Sequence, residues 1–211
     1  MIDLYTWTTP NGRKPSIMLE ELGVHYTAHA VDIGAGDQFK PDFLAIAPNN
    51  RIPAIVDHDT GQTLMESGAI LLYLAEKHAA LLPEDDRWRT IEWLMWQMGG
   101  LGPMLGQTHH FLRHNKGTSA YAEERYHTEA LRLYKVLNTR LDGRDFIAGA
   151  GRGSYSIADI SAWPWISRFE WQQVDLAAFP NVRDWYLRIA ERPGVQRGFQ
   201  VPKDTGPIPT P

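Results

Sequence analysis

Apolar and polar residues alternate over Ile2-Asp3-Leu4-Tyr5-Thr6, the period of a half-buried strand. Pro10-Asn11-Gly12 then reads as a turn. A helix is expected from about Lys14 to Leu22, with Ile17, Met18 and Leu22 on one side and Gly23 as its stop. Tyr26 to Ile33 suits a second strand, Gly34-Ala35-Gly36 opens a loop, and Pro41 to Ala47 has room for one or two helical turns. Ala54-Ile55-Val56 and Thr63-Leu64-Met65 flank the turn-like stretch Asp57 to Gly61, which is the pattern of a hairpin. From Ser67 to His78 the apolar residues Ile70, Leu71, Tyr73, Leu74 and Ala75 cover most of a helix surface, so this helix should be well buried. The order β-α-β-α-β-β-α predicts a small α/β domain.

Beyond this point no strand pattern recurs. Asp86 to His114 looks helical, with a bend or break expected at Gly99-Gly100-Leu101-Gly102-Pro103. Ala130, Tyr134, Leu137 and Leu141 mark one face of a long helix over Tyr121 to Leu141. Ser156-Ile157-Ala158-Asp159 has the spacing of a capping box, flanked by Tyr155 and Ile160 at the hydrophobic-staple positions, so a helix should run from there to about Phe169. Another fits Val182 to Glu191, ended by Arg192-Pro193-Gly194. The tail from Val201 is rich in proline and reads as extended or disordered. The expected organisation is therefore an α/β domain over 1–79, a linker to 87, an all-helical domain over 88–200 and a Pro-rich tail over 201–211.

Composition changes this picture in two places. A net charge of −4 without long runs of one sign argues against nucleic acid or an anionic membrane as the main partner. No segment has the roughly 20 apolar residues of a membrane span. The N-terminus reads as a strand carrying Asp3 rather than a secretory leader, so the expected location is the cytosol. The absence of cysteine is more restrictive. It excludes structural disulfides, thiolate metal sites and a cysteine nucleophile, so in any sulfur chemistry a ligand must bring the sulfur.

Two motifs point elsewhere and are weak. Gly149-Ala150-Gly151-Arg152-Gly153-Ser154 lacks the last glycine of a dinucleotide loop and opens no βαβ unit, so a plain loop is expected. His110 and His114 have chelating spacing on a helix, but no third ligand is evident and no metal is expected. The stronger signal is a set of three pieces in the first domain. Thr8-Thr9-Pro10-Asn11-Gly12 joins strand to helix. Ile52-Pro53 stands just before a strand, where proline cannot donate to a ladder, which suits a turn and a cis bond. Glu66-Ser67 opens a helix: Ser67 can cap it, the helix amides can take a carboxylate, and Glu66 can take an ammonium. Such a pair would recognise the α-amino-acid end of a small ligand, with an ordinary helix cap as the other reading.

With these pieces in place the chain resembles a cytosolic glutathione transferase, a thioredoxin-like domain followed by an all-α domain. The likeness is greatest to the bacterial Nu class, through Thr9-Pro10-Asn11-Gly12, Pro48-Asn49-Asn50, the run from Glu66 to Leu74 and the run from Gly99 to Gln107. The resemblance implies glutathione-dependent reduction of disulfides, glutathione as co-substrate, a cis-proline and a homodimer. It also implies roles for individual residues. Ile52 would pair with the cysteinyl backbone of glutathione, Glu66 and Ser67 would hold the γ-glutamyl end, and Gln38 would contact the glycyl end. Thr9 and Asn11 would face the sulfur, with Tyr5 as the older alternative. Arg132 would reach the glutathione of the opposite subunit, against a surface ion pair with Glu129. Trp7, His109, His110 and Phe111 could line a second pocket or pack in the core. The second substrate is expected to be a small disulfide or an electrophile. Conjugation of electrophiles and a non-catalytic binding module stand as the other readings of the same fold.

Overall fold

The computed structural model describes all 211 residues, Met1–Pro211. They divide into two compact units, the first formed by Met1–Ala80 with Ala190–Ile208 and the second by Leu81–Ile189 with Pro209–Pro211. No helix is long and apolar enough to cross a membrane.

The first unit is built on four strands, β1 (Ile2–Thr6), β2 (Tyr26–Ala30), β3 (Ala54–Asp57) and β4 (Gln62–Met65), in the spatial order β2-β1-β3-β4. β1 and β2 run parallel, joined through helix α1 (Pro10–Leu22), while β3 pairs antiparallel with both β1 and β4. The short helix α2 (Pro41–Ile46) and the longer α3 (Ser67–His78) complete the α/β set. Ile2, Leu4, Ile17, Met18, Ile55, Ile70, Leu71 and Leu74 are fully buried and form its core. The sequence alternation of β1 and the apolar cover of α3 are thus realised as expected.

Within this unit the elements depart from the sequence reading at three places. α1 starts at Pro10 rather than near Lys14, because Thr9 adopts extended backbone and its Oγ1 accepts from the Gly12 amide at 3.1 Å. Pro10 at the first helical position loses no hydrogen bond there. Gly12 is required at that corner, since a Cβ would lie 2.0 Å from the Trp7 carbonyl oxygen. β2 ends at Ala30, short of Ile33, where Asp32 and Asp37 instead organise a loop. Arg192-Pro193-Gly194 ends one helix as expected but also begins another, α9 (Pro193–Phe199).

α9 and the following residues belong to the first unit, although the sequence reading placed residues up to 200 with the helical domain. Gly194 and Gly198 allow close approach to α1: a Cβ on Gly198 would stand 2.6 Å from the Ile17 Cα. Ser16 Oγ donates to the Gly198 carbonyl at 2.8 Å, and the buried Arg13 donates to the Phe199 carbonyl while stacking on its ring. Arg13 also donates to Thr205 Oγ1 at 2.7 Å, so the proline-rich tail is tied down rather than loose. Lys203 Nζ lies 4.1 Å from the centroid of the Trp7 ring.

The second unit comprises α4 (Arg87–Trp96), α5 (Gly102–His109), α6 (Ala120–Arg140), α7 (Ile157–Ile166) and α8 (Pro180–Ala190), whose last residue falls in the first unit. The expected break at Gly99–Pro103 is a π-helical turn over Gln97–Leu101, in which the Gly102 amide bonds to the Gln97 carbonyl five residues back. The wider turn relieves the clash and missing donor that Pro103 would bring to a regular helix. The capping box forms: Asp159 Oδ2 accepts from the Ser156 amide at 3.0 Å, and Oδ1 accepts from Trp185 Nε1 and the Ile147 amide. Burial pushes Asp159 up to about 6 against these bonds, which favour its anion. α7 stops at Ile166, three residues before the expected end. The Gly149–Ser154 stretch is a plain loop closed by an Ala148–Ser154 bridge.

Candidate active site

The Thr9 turn places a helix N-terminus beside a hydroxyl. Thr9 spends one acceptor position on the Gly12 amide, its carbonyl accepts from Arg13 at 3.0 Å, and Asn11 follows within the first helical turn. The partial positive charge of that helix end favours an anion. Tyr5 points into packing instead: its ring stacks on His29 at 4.7 Å and tilts against Phe43 at 6.4 Å. Burial pushes its hydroxyl up.

The Ile52-Pro53 bond is cis. Ile52 packs with Tyr5, Ile46 and Met65 around the buried cluster of Val31, Phe43, Ala47 and Ala54. Ladder pairing in β3 begins at Ala54, so the Ile52 backbone lies outside the sheet. Gln38 sits in a short 3-10 turn over Asp37–Phe39, pinned where Asp37 Oδ2 accepts from the Asp32 amide at 3.0 Å. Its Oε1 is buried and makes no hydrogen bond. Buried acceptors are usually satisfied, so this oxygen is an exception that suits a ligand contact.

At the Glu66-Ser67 corner no side-chain cap forms. Glu66 holds φ 71° and ψ 112°, a conformation non-glycine residues rarely adopt, and its exposed side chain makes no capping bond. Ser67 is the first helical residue rather than the cap, and it is buried. Its Oγ accepts from Lys14 Nζ at 3.3 Å. Strained backbone of this kind clusters at functional sites, which makes the corner a candidate for ligand contact. Burial lowers Lys14 to about 7, and the charge of Glu66 opposes the shift.

Lys14 and Arg13 are wholly buried, and the sequence reading passed over both. A signal was present: they stand four residues before Ile17 and Met18, in phase with the buried stripe of α1. Arg51 is exposed and bonds to its neighbour Asn50.

Arg132 lies on α6 in the second unit, exposed and in a bidentate pair with Glu129 at 2.7 and 2.8 Å. His109 is a core residue. It packs between Trp165 and Trp171, and its Nε2 lies 3.0 Å from Gln172 Nε2, which also donates to the Trp165 carbonyl. With an amide donor facing it, Nε2 must accept, so the ring is neutral. Burial and the nearby charges of Arg168, His114 and Arg113 lower it to about 4. Phe111 stacks on Tyr126, and His110 is exposed beside Asn115.

Comparison with known proteins finds relatives over both units. Residues 1–76 match the family model of the glutathione S-transferase N-terminal domain, and residues 120–188 match that of the C-terminal domain. The chain is 52% identical over 200 residues to disulfide-bond oxidoreductase YfcG of Escherichia coli K12, covering 92% of each chain. Among solved structures, a glutathione transferase of Burkholderia graminis with two glutathione molecules bound per subunit has a TM-score of 0.89 at 41% identity, covering 97% of this chain and 89% of that one. A glutathione transferase of Pseudomonas putida with one glutathione disulfide per subunit also reaches 0.89, at 43% identity, covering 95% and 91%. The cis turn before β3, the strained Glu66-Ser67 corner, the capped Thr9 turn and these matches over both domains make the chain a member of the glutathione transferase superfamily.

Proposed function

We propose that this enzyme is a glutathione-dependent disulfide-bond oxidoreductase in which glutathione supplies every reacting thiol. The observation that carries the reading is a capped helix N-terminus, Thr9 to Asn11, in a chain without a single cysteine. Its likeness to a relative named a disulfide-bond oxidoreductase, and to structures holding two glutathiones or one glutathione disulfide, supports the same chemistry.

Each residue then has a task. Glu66 takes the ammonium and Ser67 the carboxylate of the γ-glutamyl end, Ile52 pairs with the cysteinyl backbone, and Gln38 contacts the glycyl end. The Thr9 hydroxyl and Asn11 donate to the sulfur and favour its anion. In a cytosolic homodimer, the partner subunit's Arg132 exchanges its Glu129 pairing for a carboxylate of the bound tripeptide. The thiolate attacks one sulfur of the substrate disulfide, the S–S bond breaks, and one substrate thiolate leaves and takes up a proton. A second glutathione thiolate attacks the glutathionyl sulfur of the mixed disulfide. Glutathione disulfide forms, and the second substrate thiol leaves.

Glutathione-dependent turnover of a simple dialkyl disulfide, measured beside a haloaromatic electrophile, tests this assignment. Disulfide turnover should dominate. Robust conjugation without disulfide turnover would place the protein among the conjugating transferases, and neither activity would leave a binding module.

A further inference from the structure

The C-terminal segment carries a charge that the chemistry above does not use. Beyond α9 the chain folds back on itself: Gln200 Nε2 donates to the Gly206 carbonyl at 2.8 Å, and Gln200 Oε1 accepts from the Thr205 amide at 3.0 Å. Asp204 Oδ1 accepts from the Gly206 amide at 2.8 Å, and Arg13 holds the Thr205 hydroxyl. These bonds close a loop over residues 201–206. Lys203, midway along it, is exposed, and its ammonium lies 4.1 Å from the centroid of the Trp7 ring.

Trp7 belongs to the turn on which the proposed chemistry rests. Its carbonyl accepts from the Thr9 amide at 2.7 Å, and the same carbonyl excludes a Cβ at position 12. Two residues of chain span at most about 7 Å, which sets the Lys203 ammonium beside that turn. The side chains from Trp7 to Gly12 carry no charge of their own, and Arg13 and Lys14, which follow, are wholly buried. An aromatic ring orients an ammonium over its face but leaves the unit charge intact. Lys203 therefore adds an exposed positive charge to a turn whose own side chains are uncharged. Glutathione bound as its thiolate carries a net charge of two minus, so a disulfide bearing carboxylates is repelled as it approaches the sulfur. A cation held beside the point of attack offsets that repulsion.

We propose that Lys203, held over Trp7 by the folded-back C-terminal loop, is a specificity-determining residue that favours disulfide substrates bearing carboxylates over neutral or cationic ones. This inference rests on the disulfide-reductase reading of the site. That reading already gives the carboxylates of glutathione to Ser67, Gln38 and the partner subunit's Arg132, which leaves the Lys203 ammonium to the second substrate.

Three symmetrical disulfides of similar size read this charge: 3,3′-dithiodipropionate, a dianion; 2-hydroxyethyl disulfide, which is neutral; and cystamine, a dication. Each is reduced at one saturating concentration of glutathione, and the quantity compared is the ratio of kcat/KM for the charged disulfide to that for the neutral one. Lys203→Met should lower the dianion ratio by about threefold, the effect of removing one unit charge roughly 5–10 Å away in a watery dielectric. Lys203→Glu should lower it by about tenfold and raise the cystamine ratio, while Lys203→Arg should keep the wild-type values. Added salt should bring the wild-type ratio toward that of Lys203→Met. Unmoved ratios in Lys203→Met and Lys203→Glu overturn the inference alone, and so does a change confined to the KM for glutathione, which would give the ammonium to glutathione instead. No turnover of any of the three disulfides by the wild-type protein overturns the reductase reading, and the inference with it.

Discussion

The Thr9 hydroxyl accepts from the Gly12 amide, which leaves its own proton for an anion beyond the end of α1. Thr9→Ala removes both bonds. It should cost about 1 kcal/mol of stability through the lost cap, and it should raise the pKa of bound glutathione by about one unit through the lost donor. Thiolate absorbance of the complex against pH reads this directly, and an unmoved midpoint would transfer the role to another group. Tyr5 is placed poorly for it, stacked on His29 and packed toward Phe43. The candidate site was legible in the sequence as short motifs, Glu66-Ser67 and Thr9 to Asn11, on whose chemistry the proposed function draws. The burial of Lys14 was marked only by its phase with the apolar stripe of α1, because a basic pair reads as solvated surface. Only packing against α3 reveals that its stem and ammonium are both enclosed.

Helices and strands were legible where periodicity is local, and their ends were not. The turn-forming residues Pro10-Asn11-Gly12 became the first turn of α1 because proline fits that position and Thr9 caps it. Gly99–Pro103 became a π turn because bonds to the fifth residue back accommodate proline without breaking the helix. No local pattern announced that α9 would lie on α1, a contact that depends on residues about 180 positions apart, such as Ser16 and Gly198. Gly198→Ala tests that contact. Alanine favours a helix by about 1 kcal/mol over glycine, yet its Cβ would meet the Ile17 backbone at 2.6 Å. The clash should prevail and destabilise the protein by roughly 1–3 kcal/mol, seen as a lower midpoint of thermal unfolding. An unchanged or raised midpoint would contradict so close a packing of α9 on α1.

For the molecule as a whole, the order of strands and helices was readable, since an α/β set followed by helices alone specifies the class. The membership of the C-terminal segment was not, because its prolines suggest a loose tail while Arg13, buried out of sight, binds it to the first unit. The missing cysteine carries the largest functional consequence, since reducing a disulfide takes two thiols and this chain supplies none. On the proposed function, two glutathiones held in one site provide both. The most direct measurement is the initial rate of disulfide reduction against glutathione concentration, extended well below saturation. When both molecules bind before the first product leaves, the rate should rise with close to the square of concentration at the low end and then saturate. A rate strictly first order in glutathione from the lowest concentrations upward would contradict a site that works with two.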